Sequence, residues 1–195
     1  MNITPLSIPE VLRVEPRLFS DSRGLFFESF NRREFQRATG LAPRFVQENH
    51  SVSKNNVLRG LHYQIRQAQG KLVRVVAGAV FDVAVDIRRG SPTFAGWIGE
   101  LLSADNRRQL WIPPGFAHGF LALSVSAELV YLTTDYWAPE YERCLYWDDP
   151  QVAIDWPRRD GLILSEKDRQ GLRLADAELP RYRAPVRRPM PTDKG

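Results

Sequence analysis

Three histidines are present in the chain, and two of them lie in motifs that could form a binding pocket. His62 follows a polar turn within residues 59–64 (RGLHYQ), and His118 ends a Pro-x-Gly-x-x-His pattern within residues 113–118. In the strand predicted there, alternation puts His118 on one face with two phenylalanines. Such a histidine is either a hydrogen-bonded core residue or part of a ligand pocket. Histidine transfers protons near neutral pH, so either site could perform acid–base chemistry.

The same two motifs test a metal-centre hypothesis. Metal-binding β-barrels of the cupin type combine His-x-His and a following glutamate with Pro-x-Gly-x-x-His, and only the second half is present here. Gln64 stands two residues after His62, and no glutamate follows within six residues. A dedicated zinc or iron site has three or four protein ligands. We therefore expect no functional metal, and a metal-dependent cupin remains the alternative hypothesis.

Several cations could meet an anionic ligand. Lys71 shares an alternating face with Val73 and Val75, so its ammonium must reach solvent, pair with an acid or bind an anion. Arg23 and Arg59 each precede a glycine, where a guanidinium and the backbone can approach a phosphate together. Each of these signals is also typical of an ordinary surface cation, so none of them identifies a site alone.

Tyr131 and Asp168 are weaker candidates on local pattern. Tyr131 lies in a predicted strand shortly before Tyr136 and Trp137, which could stack on a flat ring or simply pack in the core. Asp168 follows Ser165, a good N-cap residue, and is expected in the first turn of a short helix, where the helix dipole favours it. Nothing local marks either residue as catalytic.

Short strands must position these residues. Residues 81–87 alternate between apolar and small or acidic side chains with period two. Similar runs occur at 71–77, 94–102, 109–113, 118–123 and 127–133, separated by glycine and proline turns. We expect helix only at 32–39, between an Asn31 cap and a Gly40 stop, and after Ser165. The pattern predicts a mainly β protein, an antiparallel sandwich or barrel with a few short helices.

Charge and composition limit the classes of function. The 195 residues carry a net charge of +4, and residues 180–195 hold five basic side chains and one acidic one, so residues 1–179 are formally neutral. We predict one domain over 1–179 and a basic, proline-rich, poorly ordered tail over 180–195. The charge does not support nucleic-acid binding by the fold. The single Cys144 excludes an internal disulfide, and the absence of a long apolar run predicts a cytoplasmic protein without membrane contact.

Taken together, the segments resemble the dTDP-4-dehydrorhamnose 3,5-epimerase family, which has the cupin fold of an antiparallel β-barrel or jelly roll. The resemblance runs from about residue 8 to residue 176 in unbroken order. It rests on seven motifs: residues 21–28 (DSRGLFFE), 45–50 (FVQENH), 57–64 (VLRGLHYQ), 69–74 (QGKLVR), 81–86 (FDVAVD), 111–120 (WIPPGFAHGF) and 164–168 (LSEKD).

The resemblance implies a catalytic set. His62 would be the general base and Asp168 the carboxylate that orients it. Tyr131 would be the general acid on the opposite face of the sugar. Lys71 would face the C4 carbonyl oxygen. The role of His50 is left open by the resemblance.

The remaining implications concern substrate, partners and cofactors. The family inverts C3 and C5 of dTDP-4-dehydro-6-deoxy-D-glucose in dTDP-L-rhamnose biosynthesis, which supplies lipopolysaccharide and O-antigen, and it uses no cofactor. Related enzymes act at C3 or C5 alone, and the quoted residues do not separate these activities. Family members are homodimers that exchange N-terminal strands. Substrate contacts are implied at Arg23, Glu28, Gln47, Asn49, Arg59, Lys71, His118, Trp137, Glu142 and Lys167.

Overall fold

The computed structural model describes residues 1–182, and residues 183–195 lie outside the described part. The helices are α1 (Arg32–Thr39) and α2 (Glu166–Arg169), with one 3₁₀ turn at Pro139–Tyr141. The strands are β1 (Asn2–Pro5), β2 (Leu12–Glu15), β3 (Leu18–Asp21), β4 (Gly24–Phe27), β5 (Gln47–Lys54), β6 (Leu58–Gln64), β7 (Lys71–Ala77), β8 (Ala79–Asp86), β9 (Trp97–Ser103), β10 (Gln109–Ile112), β11 (Phe116–Ala122), β12 (Ser126–Thr133) and β13 (Glu142–Cys144).

Two large antiparallel sheets form the body of the protein. The first has the order β1-β2-β10-β7-β12-β5, and the second has the order β13-β6-β11-β8-β9. Their facing sides share one apolar core, to which Val73 and Leu129 contribute from the first sheet and Phe116 and Phe120 from the second. This arrangement confirms the predicted antiparallel β architecture of the cupin type.

Both helices begin where the sequence predicts. Asn31 accepts hydrogen bonds from the amides of Arg33 and Glu34, and Gly40 ends α1 in the left-handed conformation at φ 72°. Phe35 anchors α1 to the outer side of the first sheet against Trp111. Before α2, Ser165 accepts a hydrogen bond from the amide of Asp168, which makes that residue part of the helix cap.

The chain after β13 covers the outer side of the second sheet. A second apolar cluster joins strand residues such as Leu61 and Val85 to Ile154, Trp156 and Leu174 of this segment. Because these apolar side chains are buried against the second sheet, the segment crosses that sheet, and α2 lies beside β6. The C-terminal segment therefore delivers Asp168 to the strand that carries His62.

The packed chain extends into the predicted tail. Pro180 accepts a hydrogen bond from the Arg89 amide at 2.8 Å, and the Tyr182 amide donates to the Arg89 carbonyl at 2.9 Å. The Arg88 guanidinium contacts the rings of both Phe116 and Tyr182. The first three residues of the predicted tail thus pack on the fold, and the prediction for 183–195 falls outside the described residues.

The hairpin of β3 and β4 is separate from both large sheets in the described part of the chain. It presents exposed apolar side chains at Leu18, Phe19, Leu25 and Phe26. By contrast, β1 pairs with β2 at the edge of the first sheet. Among residues 1–182, no helix has the length and apolar character needed to cross a membrane.

Candidate active site

Strands β6 and β11 approach closely and bring two histidines together. His62 and His118 are directly opposed in the antiparallel register. The approach depends on glycine: a Cβ on Gly60, which has φ +111°, would lie 2.7 Å from the Cα of Gly119, and one on Gly119 would lie 2.6 Å from the Arg59 carbonyl oxygen. Larger residues at these two positions would force the strands apart and separate the histidines.

His62 is bound to a carboxylate from a distant part of the chain. Its Nε2 lies 2.5 Å from Oδ1 of Asp168, and Ser165 donates to Oδ2 of the same carboxylate at 2.8 Å. When Nε2 donates its proton to this carboxylate, the neutral ring keeps a free lone pair on Nδ1. The carboxylate thereby fixes the tautomer in which Nδ1 can accept a proton.

Asp168 is ionised despite its burial. Burial would raise its pKa, but the hydrogen bond and charge of His62, the Ser165 hydroxyl and the Gly60 amide hold that pKa below its ordinary value. Asp168 is only 3% exposed, so water competes little for its carboxylate oxygens. It can therefore stabilise an imidazolium on His62.

His118 has a different environment. Its Nε2 lies 2.9 Å from Oδ2 of Asp82, a carboxylate buried on β8. Burial lowers the pKa of His118, and the opposing attraction of Asp82 is not enough to restore it. His118 is thus held neutral and fixed in orientation, which suits a substrate contact.

Lys71 begins β7 and is almost fully buried, at 8% exposure. Burial lowers its pKa to about 8, even though Asp82 and Glu142 act in the opposite direction. The ammonium also lies 5.9 Å from the ring centroid of Tyr131. A cation held in so dry a place is suited to stabilise a negative oxygen of a ligand.

Tyr131 lies on β12, opposite Val73 of β7. Burial and the charge of Glu142 raise its pKa, so the phenol keeps its proton at neutral pH. Its ring packs edge-on to His118 with centroids 6.3 Å apart. Tyr131 can therefore donate a proton from the first sheet toward the histidines of the second.

One cavity unites most of the predicted residues. Its walls include the predicted Arg59, His62, Lys71, His118, Tyr131, Trp137 and Glu142, together with Ser51, Tyr63, Gln64, Gln69, Gly119 and Phe120. Trp137 is 56% exposed and lines the cavity, so its indole is accessible to a flat ligand.

Three further predicted contacts, Gln47, Asn49 and Lys167, lie beside the cavity and bind residues of its wall or one another. Gln47 accepts a hydrogen bond from the Trp137 amide at 3.0 Å, and its own side chain donates to Asn49 at 2.9 Å. Lys167 forms an ion pair with Glu142 at 2.6 Å. These three residues flank the cavity walls rather than form them.

Arg23 and Glu28 are not brought into this cavity. Arg23 lies at the tip of the β3–β4 hairpin, where it pairs with Asp21 at 2.6 Å and its side chain is 87% exposed. Glu28 follows the hairpin and accepts a hydrogen bond from Asn31. In the described chain the hairpin lines a separate surface cavity of its own.

Sequence reasoning missed several residues of the site. Asp82 is hidden in a strand that reads as alternating core, and only its pairing with a buried histidine reveals a role. The sequence predicts Ser165 only as a helix cap, but its hydroxyl also donates a hydrogen bond to the Asp168 carboxylate. The sequence indicates no role for Cys144 at the site, yet its Sγ lies 3.8 Å from Oδ1 of Asp168. His62, Cys144 and Asp168 are the set within residues 1–182 whose ligand atoms lie close enough to hold a metal, all within 4.8 Å of one another.

Comparisons with known proteins agree with this geometry. A family model described as dTDP-4-dehydrorhamnose 3,5-epimerase matches residues 5–176. The protein of that name from Pseudomonas aeruginosa is 64% identical over 178 residues, which cover 91% of this chain and 98% of the relative. The one from Escherichia coli is 57% identical over 169 residues, which cover 86% and 91%.

A solved structure extends the likeness to the whole fold. The dTDP-6-deoxy-D-glucose-3,5-epimerase of Legionella pneumophila, crystallised in complex with dTDP-4-keto-L-rhamnose, superposes with a TM-score of 0.91 at 52% identity. The match covers 94% of this chain and 99% of the Legionella chain. The chain therefore belongs to the dTDP-4-dehydrorhamnose 3,5-epimerase family.

Proposed function

We propose that this protein inverts C3 and C5 of dTDP-4-dehydro-6-deoxy-D-glucose, giving dTDP-4-dehydro-L-rhamnose for dTDP-L-rhamnose biosynthesis. Family membership and the ligand of the Legionella structure support this class of substrate. The observation that carries the proposal is that a histidine bound to a buried carboxylate, a buried ammonium and a protonated tyrosine border one cavity.

The reaction requires these groups because of where the ketone lies. The protons on C3 and C5 are acidic since both carbons flank the C4 carbonyl, and removing either proton leaves an enolate with its charge on the C4 oxygen. Inversion follows when a proton returns from the other face. The reaction thus needs a base, a cation at the oxygen and an acid opposite the base, and no redox step.

His62 supplies the base. Its Nδ1 takes the proton from carbon. In the resulting imidazolium, Nε2 keeps its own proton and donates it in a hydrogen bond to Oδ1 of Asp168, 2.5 Å away. The buried carboxylate stabilises that positive charge while the enolate exists.

Lys71 supplies the cation. Its ammonium faces the cavity from a site that is almost closed to water, where its attraction for the C4 oxygen is stronger than it would be in solvent. Loss of one such donor typically costs about 10²–10³ in rate.

Tyr131 supplies the acid. It projects from the first sheet, whereas His62 projects from the second, and both border the same cavity. A sugar ring held between the two sheets would meet the base on one face and the phenol on the other. This opposition is what an epimerase needs and what a simple binding protein does not.

The nucleotide end of the substrate would lie toward the rim. Trp137 offers a flat face to the thymine, while Arg59 and Lys167 attract the diphosphate. Gln47 holds the Trp137 backbone in place, and Asn49 accepts a hydrogen bond from the Gln47 side chain. His118 and Glu142 contact the sugar from the cavity wall.

Arg23 and Glu28 fit the proposal if the active form is a homodimer. The exposed apolar face of the β3–β4 hairpin favours a contact with a second copy, which would carry Arg23 toward the partner's cavity and its diphosphate. Since β1 and β2 pair within their own chain, the exchanged segment is best placed at the hairpin. The cytoplasm, without nucleic-acid or membrane partners, remains the proposed setting.

The decisive experiment follows solvent deuterium into the sugar. The full-length protein is incubated in D₂O with dTDP-4-dehydro-6-deoxy-D-glucose, and the label is located by NMR. Deuterium at both C3 and C5 with inversion supports the proposal. Label at one carbon alone would reassign the protein as a single-site epimerase, and label at neither would refute epimerisation.

A further inference from the structure

Cys144 has no part in the proposed reaction, yet it lies next to His62 and Asp168, the proposed base and its carboxylate. It is opposite His62 in the register of β13 and β6, so the two side chains share one side of the second sheet. Its Sγ approaches Oδ1 of Asp168, the oxygen that also binds His62 Nε2. Three elements, β6, β13 and α2, thus bring an imidazole, a thiol and a carboxylate to one point.

The dimensions are close to those of a zinc-type site. Zn–N bonds of about 2.1 Å and Zn–S bonds of about 2.3 Å at tetrahedral angles separate ligand atoms by roughly 3.3–3.8 Å. The carboxylate and thiol are already 3.8 Å apart, and the imidazole and carboxylate need to open by roughly 1 Å from 2.5 Å. The His62 side chain is 29% exposed and borders the cavity, which leaves room for that opening.

We infer that His62, Cys144 and Asp168 form an inhibitory site for a thiophilic divalent cation such as Zn²⁺. The inference rests on the proposed function, because what it stops is the base of that reaction. The cation would take three protein ligands and one water, and it is not a cofactor. Three donors of nitrogen, sulfur and oxygen type favour Zn²⁺, Co²⁺ or Cd²⁺ over Mg²⁺ or Ca²⁺.

The proton balance explains why binding would inhibit. The cation replaces the proton shared by Nε2 and Asp168, and that proton moves to Nδ1, so the ring stays neutral. The thiol loses its proton to solvent and becomes a thiolate ligand. Nδ1 then carries N–H and can no longer accept a proton from carbon. The metal lies behind the ring, so dTDP can still bind while turnover stops.

Cobalt is a direct probe of this arrangement. The full-length protein, purified without an affinity tag, is titrated with Co²⁺, and the absorption spectrum is followed for a thiolate charge-transfer band and the intense visible bands of four-coordinate cobalt. We expect one cobalt per chain, displacement by Zn²⁺, and at least a tenfold fall in kcat that EDTA reverses. Calorimetry should show dTDP affinity changed by less than about threefold.

Two variants make the test specific. Cys144→Ala should lose the thiolate band and weaken binding by at least about 10–100-fold, the loss that even an outer-shell partner causes. His50→Ala is the matched control, because His50 pairs with Glu128 at 3.0 Å on the surface without a thiol. It should keep both the spectrum and the inhibition. Binding of dTDP by Cys144→Ala confirms that the variant is folded.

The outcomes separate this inference from the proposed function. Absence of a thiolate band, or equal cobalt binding by Cys144→Ala, would overturn the site even in a fully active enzyme. Cobalt binding at the site with undiminished kcat would overturn the inhibitory role. A protein without epimerase activity would refute the proposed function, while the spectrum would still decide whether the three residues bind metal.

Discussion

His62 and His118 face each other across neighbouring strands, and each is bound to its own buried carboxylate. The carboxylate of His62 comes from α2, 106 residues away in sequence, and that of His118 comes from the adjacent β8. His62 is partly open to the cavity, whereas His118 is 6% exposed and held neutral. His62 is therefore free to exchange protons with a ligand, whereas His118 is a fixed part of the cavity wall.

The first prediction concerns the base. His62→Ala should lower kcat by at least about 10²-fold, because general base catalysis contributes 10²–10⁴. Affinity for dTDP, measured by calorimetry, should change by less than about threefold, since the proposed nucleotide contacts lie toward the rim. His50→Ala should retain full activity because His50 lies on the surface of β5. Equal loss in the two variants would contradict the assignment.

The second prediction concerns Lys71. Lys71→Met should lose about 10²–10³ in kcat with the loss of the cation at the C4 oxygen. The same change should raise the free energy of unfolding at pH 7 by as much as about 3 kcal/mol, because burial lowers the pKa of this lysine from 10.5 to about 8. Urea denaturation measures the gain. Lys54→Met, on an exposed position of β5, should change neither quantity, and an inactive but less stable Lys71→Met would contradict the prediction.

The third prediction is a pH profile. With a pKa of about 8, Lys71 loses its charge as pH rises through 8, so kcat/KM should fall about tenfold per pH unit above that point. The charges of Asp82 and Glu142 act on the ammonium, and the Tyr131 ring lies beside it. The pKa of Tyr131 is raised above its ordinary value, so the phenol titrates at higher pH. Lys71→Arg keeps its charge throughout and should not show the fall near pH 8, whatever its maximal rate. An unchanged profile in that variant would assign the fall to another group.

Local patterns predict the fold well where one short segment decides the structure. The period-two run at 81–87 corresponds to β8, and Asn31 and Gly40 set the ends of α1 as expected. The start of the tail is harder to predict, because residues 180–182 contact Arg88 and Arg89, which are distant in sequence. Composition alone does not show such a contact.

The site was predictable only in part, for the same reason. The motifs that contain His62 and His118 are short and local, and the two histidines become neighbours because their strands pair. The carboxylate of His62 instead depends on how the segment after β13 crosses the second sheet, which no local pattern reveals. Only the family resemblance pointed to Asp168, and neither route indicated Asp82 or Cys144.

The fourth prediction separates proton removal from proton return. Tyr131→Phe should lower inversion by at least about 10²-fold, because the acid on the opposite face is lost. His62 can still remove and return a proton on its own face, so exchange of the C3 and C5 hydrogens with D₂O should continue without inversion. NMR in D₂O measures both processes at once. Tyr146→Phe, outside the cavity, should leave both unchanged, and a parallel loss of exchange in Tyr131→Phe would make the phenol part of the base system.

The last prediction concerns the hairpin. Phe26 is 71% exposed and packs against Phe19, itself 49% exposed, which leaves an apolar face that a second copy would cover. Sedimentation at micromolar concentration should show a dimer for the full-length protein and a monomer for Phe26→Asp. Val125→Asp, a charge at a 90% exposed position in the loop before β12, should remain dimeric.

The activity of these variants tests whether dimerisation serves the site. If Arg23 reaches the partner's cavity, Phe26→Asp and Arg23→Ala should both raise KM for the nucleotide sugar, because each removes the same guanidinium from the diphosphate. At substrate concentrations well below the raised KM, mixing Arg23→Ala with His62→Ala should then restore activity, since a mixed dimer contains one site with both a base and a partner arginine. A dimer that gains no activity on mixing would confine Arg23 to its own chain, and a monomeric parent protein would remove the hairpin contact altogether.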